Sequence, residues 1–273
     1  MKMLKSIWHH VDVTLYCMKM AVLSVLEYPA NFFGWLISNP IQFIVGFATI
    51  KFVVAQFGSI NGWDYGHLAF LYGLSVISHA LSMIFFVDGW FMGWWVLEGD
   101  FDRLLTRPMS VVYQFFFTNI NIMGITDLVP GFIVFIYGCN KIGFKVTLSS
   151  IAFIAVLLIG ATLIRGGIYI IMGTTSFWTR SAVDFGVFTQ EIFDKTTMYP
   201  ISMYPEAFQF ILTYIIPIGW VSFYPISGML GVEGGGALGN ISVWITLGVG
   251  IAVILISAAV FKMGLKKYES AGN

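Results

Sequence analysis

Charge is scarce in this chain. Its 273 residues include 14 basic and 14 acidic side chains, which cancel to a net charge of zero. A balanced chain lacks the basic field that draws nucleic acid, so none is expected as a partner. Cysteine is nearly absent: Cys17 and Cys139 are the two present, and the topology derived below puts them on opposite membrane sides. That argues against a disulfide and against a cysteine metal site. The four histidines, His9, His10, His67 and His79, form no H-E-x-x-H, and no metal site is expected. There is no G-x-x-x-x-G-K-[ST] phosphate loop, because the glycine-rich run GVEGGGALGN lacks both the lysine and the hydroxyl residue. Without a G-x-S-x-G elbow either, no catalytic residue is assigned; the chain is expected to carry no cofactor of its own and not to be an enzyme.

What is abundant is apolar: 58% hydrophobic residues, with 26 Phe and 9 Trp. That composition lies outside the range of soluble domains and implies an all-α integral membrane protein. A span needs about 20 apolar residues to cross roughly 30 Å of hydrocarbon. By that ruler residues 29–273 form a six-helix transmembrane domain, with spans near 30–56, 68–97, 111–137, 147–177, 205–224 and 241–262. Residues 1–28 form a separate element. Leu4, Trp8, Val11, Leu15, Met18, Val22 and Leu26 recur every three or four positions among Lys5, His9, Asp12 and Lys19, the pattern of an amphipathic helix lying in the interface. Tyr28-Pro29 ends it. No cleavable signal peptide is expected. Basic residues near the span ends, Lys2, Lys5, Lys19, Arg103, Arg107, Arg180, Lys195, Lys262, Lys266 and Lys267 against Lys141, Lys145 and Lys51, place both termini in the cytoplasm.

Charges within spans are rare and require a reason. Asp127 and Arg165 fall on antiparallel neighbours at similar depth, which suggests either an ion pair that fixes packing or part of a substrate or proton path. Asp88, nearer the cytoplasmic end of its span, favours a structural role satisfied by local water or by snorkelling. Pro217 is expected to kink the fifth span. The aromatic run GWFMGWWVL suits either an interfacial belt or the lining of a path for apolar or cationic compounds.

The densest charge follows the second span, in EGDFDRLLTRP from Glu98 to Pro108. Glu98, Asp100, Asp102, Arg103 and Arg107 alternate there with Phe101, Leu104 and Leu105, giving a short amphipathic element suited to a protein groove, or else an ordinary solvated turn. The motif EGDFDRLLTRPMSVVYQ, followed by TTSFWTR and YPISMYPEAFQFILTYIIPIGWVSFYPISGMLG, resembles permease subunits of ABC-2 type exporters, the ABC-2 family transporter proteins with multidrug and viologen export members.

The resemblance implies the ABC-2 exporter fold in the cell membrane of a prokaryote. It implies a coupling element at 98–108 docked on two copies of a cytoplasmic ABC ATPase, which would bind ATP and Mg. It implies a dimer with a second permease, itself or a paralogue, embedded in membrane lipid, and an outer hairpin at 225–240, here broken or re-entrant because of Gly234–Gly236. In the coupling element Glu98, Asp100, Asp102, Arg103 and Arg107 are the docking charges, and Phe101 and Leu104 the apolar anchors. The segment TRSAVDFGVFTQEIFDK is either a second cytoplasmic contact or an extension of the fourth span. The function so implied is export of a drug-like, lipid, peptide or other amphipathic substrate by alternating access. The alternatives are a secondary transporter or channel using Asp127 and Arg165, and a membrane scaffold.

Overall fold

The computed structural model describes residues 2–179, 183–232 and 238–269. Arg180 and the Gly234–Gly236 run, and the side chains of residues 1–9, lie outside them. Among the described residues there is no strand. The helices are α1 (Lys2–Glu27), α2 (Pro29–Phe57), α3 (Tyr65–Leu97), α4 (Asp102–Thr106), α5 (Val111–Phe117), α6 (Ile125–Ile142), α7 (Leu148–Thr174), α8 (Ser176–Thr179), α9 (Val183–Thr196), α10 (Glu206–Phe210), α11 (Phe223–Leu230) and α12 (Ile241–Leu265). Five of the described stretches are long and apolar enough to cross a membrane: α2, α3, Ile122–Ile142, Leu148–Thr179 and α12.

The link from α2 to α3 is a tight turn written in Asn61-Gly62. Both residues take positive φ, 48° and 80°, the conformation that Asn-Gly adopts most readily, and Ile60 and Trp63 exchange backbone hydrogen bonds of 3.0 and 2.9 Å across it. Trp63 is thereby buried against Phe223. Asp64 then caps α3 by accepting the His67 N–H at 2.9 Å. The Trp63 end of the bundle is called apical; the end carrying α4, α5 and the C-terminal turn is basal.

α3 is the central helix: 83% of its most apolar window is buried, against 22% for α2. It packs antiparallel to α6 and parallel to α7 through glycines. A Cβ on Gly138 would lie 2.5 Å from the Phe70 nitrogen, and one on Gly73 would lie 2.5 Å from the Phe135 nitrogen. Small residues of this kind let backbones meet and dispersion hold helices together in lipid. Gly138→Leu is accordingly expected to abolish the monodisperse folded species in size-exclusion chromatography. α12 runs parallel to α7, with Gly160 against Leu247 and Gly264 against Thr174.

Two expected spans are corrected. The third, read as 111–137, is interrupted: α5 stops at Phe117 and the crossing is Ile122–Ile142. Asparagines cause the break, because their side chains offer the backbone an alternative to the helix. Asn121 accepts the Met123 N–H at 3.1 Å, while its own N–H bonds the Ile84 carbonyl at 3.0 Å, beside the kink of α3 at Phe86.

The fifth crossing is likewise not 205–224. α9 climbs the bundle antiparallel to α3: Gly186 packs at Trp90, Thr197 bonds Ser75, and Asn61 bonds the Ser202 carbonyl at the apical turn. The segment expected in the cytoplasm therefore traverses the bundle, and Lys195 does not belong with the basal cations. Its polarity hid it, since a helix bearing Gln190, Glu191, Asp194 and Lys195 has no hydropathic signature. Residues 206–230 form instead a bent pair, Glu206–Ile215 and Ile218–Leu230, which meet at 77°. Pro217 sits at the break between a π-helical turn (Ile211–Ile215) and a 3-10 turn (Ile218–Trp220). Both ends of the pair are apical, near Ser202 and against Gly239 and Ser242, so it enters and returns. The re-entrant element begins earlier than the expected hairpin at 225–240.

Candidate functional site

The basal element is built on Phe101. Gly99 turns the chain at φ 74° after α3, and Phe101, fully buried, drops into a cluster formed by Phe177 (ring centroids 4.9 Å), Tyr268 (4.9 Å) and Phe261 (6.3 Å). Leu104 is buried beside it. The apolar anchors expected to enter a partner are thus spent inside this chain. The amide of Gln114 donates to the Leu104 and Met109 carbonyls at 3.0 and 2.9 Å, pinning α4 to α5. Asp102 is turned inward as well, accepting from the Tyr268 hydroxyl at 2.9 Å. Burial, together with the Asp102 carboxylate, pushes that phenol up to about 12, so it stays a neutral donor throughout the physiological range. Asp100 and Arg103 pair with each other at 3.1 Å on the surface. What faces outward is Glu98, Arg103, Leu105 and Arg107.

α1 lies against this base: the Thr14 and Tyr113 hydroxyls meet at 2.6 Å, and Tyr113 donates to the His10 carbonyl. The aromatic cluster joins the ends of α3, α8 and α12 at one residue.

Within the bundle, Asp127 and Arg165 do not form the expected pair. The break at 118–121 moves Asp127 into the first turn of α6. There Oδ1 accepts from Asn39 of α2, and Oδ2 lies 3.7 Å from His79 Nε2 on α3. Arg165, 1% exposed, faces another way. Its guanidinium donates to Ser75 (2.8 Å), Thr197 (3.1 Å) and Ser78 (3.2 Å) and stands 4.6 Å over the Phe193 ring. It ties α9 to α3 and α7. Asp88 is fully inside rather than at a wet margin: it is 4% exposed and accepts from Asn119 in the break.

These groups line two adjoining cavities. The basal one, about 620 Å³, is walled by α1, α2, α3, the 118–121 break and α9, and contains Asn39, Asp88, Asn119, Asp127 and Gln190. The second, about 530 Å³, lies between α2, α3 and α9 and contains Arg165, Asp194 and Lys195. Gln42, Phe43 and His79 border both. Trp90, Phe91 and Trp95 line the basal cavity, whereas Trp94 is exposed on the outside of the helix. Asn39, His79, Asn119 and Gln190 also line this cavity, and the sequence does not single them out. The available signal was a lone polar residue at matching depth on separate apolar stretches, which becomes legible only when the helices are placed side by side.

Among the described residues, no group of three His, Cys, Asp or Glu side chains is arranged to hold a metal ion. The chain is a multi-pass membrane protein. No curated protein and no solved structure gives a match. Residues 46–272, most of the chain, match the model described as ABC-2 family transporter protein, and the chain belongs to that family of membrane permeases.

Proposed function

We propose that this permease is the membrane subunit of an ATP-driven exporter whose ABC ATPase docks on α4. The observation that carries this reading is the construction of the basal element, in which an exposed face of Glu98, Arg103, Leu105 and Arg107 is locked through Phe101 to the ends of three bundle helices. Mixed charge around an apolar residue suits a partner groove. Two ATPase subunits closing on ATP and Mg would push α4, and the push would enter α3, α8 and α12. α9, held by the Arg165 contacts and lining both cavities, is the element placed to respond, and the cavities would open alternately to the two sides.

The orientation follows from charge. The basal end carries Lys19, Arg103, Arg107, Lys262, Lys266 and Lys267, against Lys141 and Lys145 at the apical end and Lys51 and Lys195 in the apical half of the bundle, so the basal end is assigned to the cytoplasm of a prokaryotic plasma membrane. α2, the least covered span, is the face offered to a second permease subunit, a copy of itself or a paralogue. The alternative of a secondary transporter rested on Asp127 acting with Arg165, and these residues engage different partners.

The test is co-purification from the native membrane with a tagged chain. Arg103→Glu combined with Arg107→Glu is expected to lose a stoichiometric ATPase while the permease still elutes as a folded species, because both side chains are exposed. An ATPase retained in full by the double variant would overturn the docking assignment, and a wild-type chain that purifies without one would overturn the exporter reading.

A further inference from the structure

The basal cavity contains more unmet polar chemistry than its neighbours explain. Asp88 uses one oxygen on Asn119, and its Oδ2 is buried without a partner; His79 Nδ1 and Trp90 Nε1, on the same cavity wall, are in the same condition. Protein interiors rarely leave such atoms unsatisfied, and a polar ligand entering this space and turning the Asp88 carboxyl toward it would supply the partner that Oδ2 lacks. The two carboxyl groups of the cavity differ. Asp127 has its Asn39 bond and faces His79, while Asp88 keeps a free acceptor. No Lys or Arg is among the described residues lining this space. A buried carboxyl group is expensive to hold charged without a counter-ion and takes up a proton while it is alone, so the group best suited to this space is a cation that lets the carboxyl ionise beside it.

The rest of the wall is apolar and aromatic, including Trp35, Met83, Phe91 and Trp95. A volume of about 620 Å³ is that of a site for a small organic molecule rather than for a hydrated metal ion. Once ionised beside a cation, Asp88 offers its unmet oxygen as a hydrogen-bond acceptor, and this narrows the class further. A quaternary ammonium supplies charge and can stack on the rings, but it has no N–H to give. A protonated amine supplies both.

We infer that the cavity recognises an amphipathic compound carrying a protonated primary or secondary amine, with Asp88 as the residue that reads the N–H. This deepens the transport reading above and rests on it for the meaning of the site. Asn119 holds the Asp88 carboxyl in place from the break in the third crossing, and the rings receive the apolar body of the ligand.

The test is equilibrium binding to the full chain in lipid nanodiscs, with empty nanodiscs as the blank and three probes: 4-phenylbutylammonium, its N,N,N-trimethyl analogue and neutral 4-phenylbutanol. Wild type is expected to bind the ammonium about tenfold or more tighter than the trimethyl analogue, the scale of a hydrogen bond to a charged group, and to bind the alcohol most weakly. D88N is expected to bring the two cations to equal affinity, and Asp88→Glu to restore part of the preference. Equal affinity of wild type for both cations overturns the inference without any variant, so a D88N chain that fails to fold leaves the test standing. A preference that survives in folded D88N overturns the role of Asp88. The measurement uses neither ATP nor an ATPase. A selective site in a chain without an ATPase partner would sink the exporter mechanism alone, and an ATPase-coupled chain with no selectivity would sink this site alone.

Discussion

Phe101→Ala is expected to lower the unfolding free energy by about 3–5 kcal/mol, the range for emptying a buried phenylalanine site, and to uncouple ATP hydrolysis from transport. The two effects share one cause. Phe101 is fully buried among Phe177 of α8 and Phe261 and Tyr268 at the end of α12. Removing its ring leaves a void that rigid neighbours cannot close, and it frees α4 from the helices it would drive. Thermal unfolding in mild detergent would report the first effect and the ratio of transport to ATP hydrolysis in proteoliposomes the second. Phe101→Leu, which keeps most of the volume, is expected to recover most of the stability. A Phe101→Ala chain as stable and as coupled as wild type would show that α4 is held by its polar ties to Gln114 and Tyr268 alone.

The second large effect concerns Arg165, and its sign is not the intuitive one. The guanidinium is buried with three hydroxyl acceptors and, among the described residues, has no carboxylate within ion-pair distance. Desolvation works against a charge placed this way, and Nη1 has no acceptor at all, so an uncharged residue of similar size removes a buried cost along with the hydrogen bonds. Arg165→Met is therefore expected to leave the melting temperature unchanged or to raise it, while transport falls about tenfold or more as α9 loses its registration on Ser75 and Thr197. Thr197→Val does the opposite to stability: it keeps the charge and removes an acceptor, at a cost of about 1–3 kcal/mol. In a double-mutant cycle Thr197→Val should cost much less in the Arg165→Met background, because the group it strands is gone. Additive costs would show that Thr197 matters only for packing. A large loss of stability in Arg165→Met alone would show that the charge holds the fold rather than the path.

The membrane class, the N-terminal helix ending at Tyr28, four of the spans and the basal loop were legible in the sequence, because each is a local pattern: a long apolar run, a three-four repeat, a proline after a tyrosine, a cluster of charge. α9 was not. Hydropathy assumes that a crossing helix faces lipid, whereas Gln190, Asp194 and Lys195 face cavities, and a polar residue with a wet or bonded environment carries no penalty for depth. The third span was misplaced for a related reason. Nothing in the apolar count around Val111–Phe117 says that Asn119 and Asn121 will choose Asp88 and the α3 backbone over helix continuation.

The division within the 98–108 element follows the same line. Its composition announced a short amphipathic helix, and the sequence determined that much by itself. Which side would be buried was undetermined, because an amphipathic face satisfies its apolar residues equally well on a partner or on its own chain. The fold placed Phe177, Phe261 and Tyr268 within reach of Phe101 and Leu104, so the apolar face closed inward and Glu98, Arg103, Leu105 and Arg107 were left outside. Asp127 and Arg165 show the limit most clearly. The sequence determined that buried charges exist on the third and fourth crossings; the rotation of each helix, set by glycine contacts distant in the chain, decided that one meets Asn39 and His79 and the other meets Ser75, Ser78 and Thr197. Depth along a helix can be counted in residues, but the direction a side chain faces depends on every neighbour that packs around it.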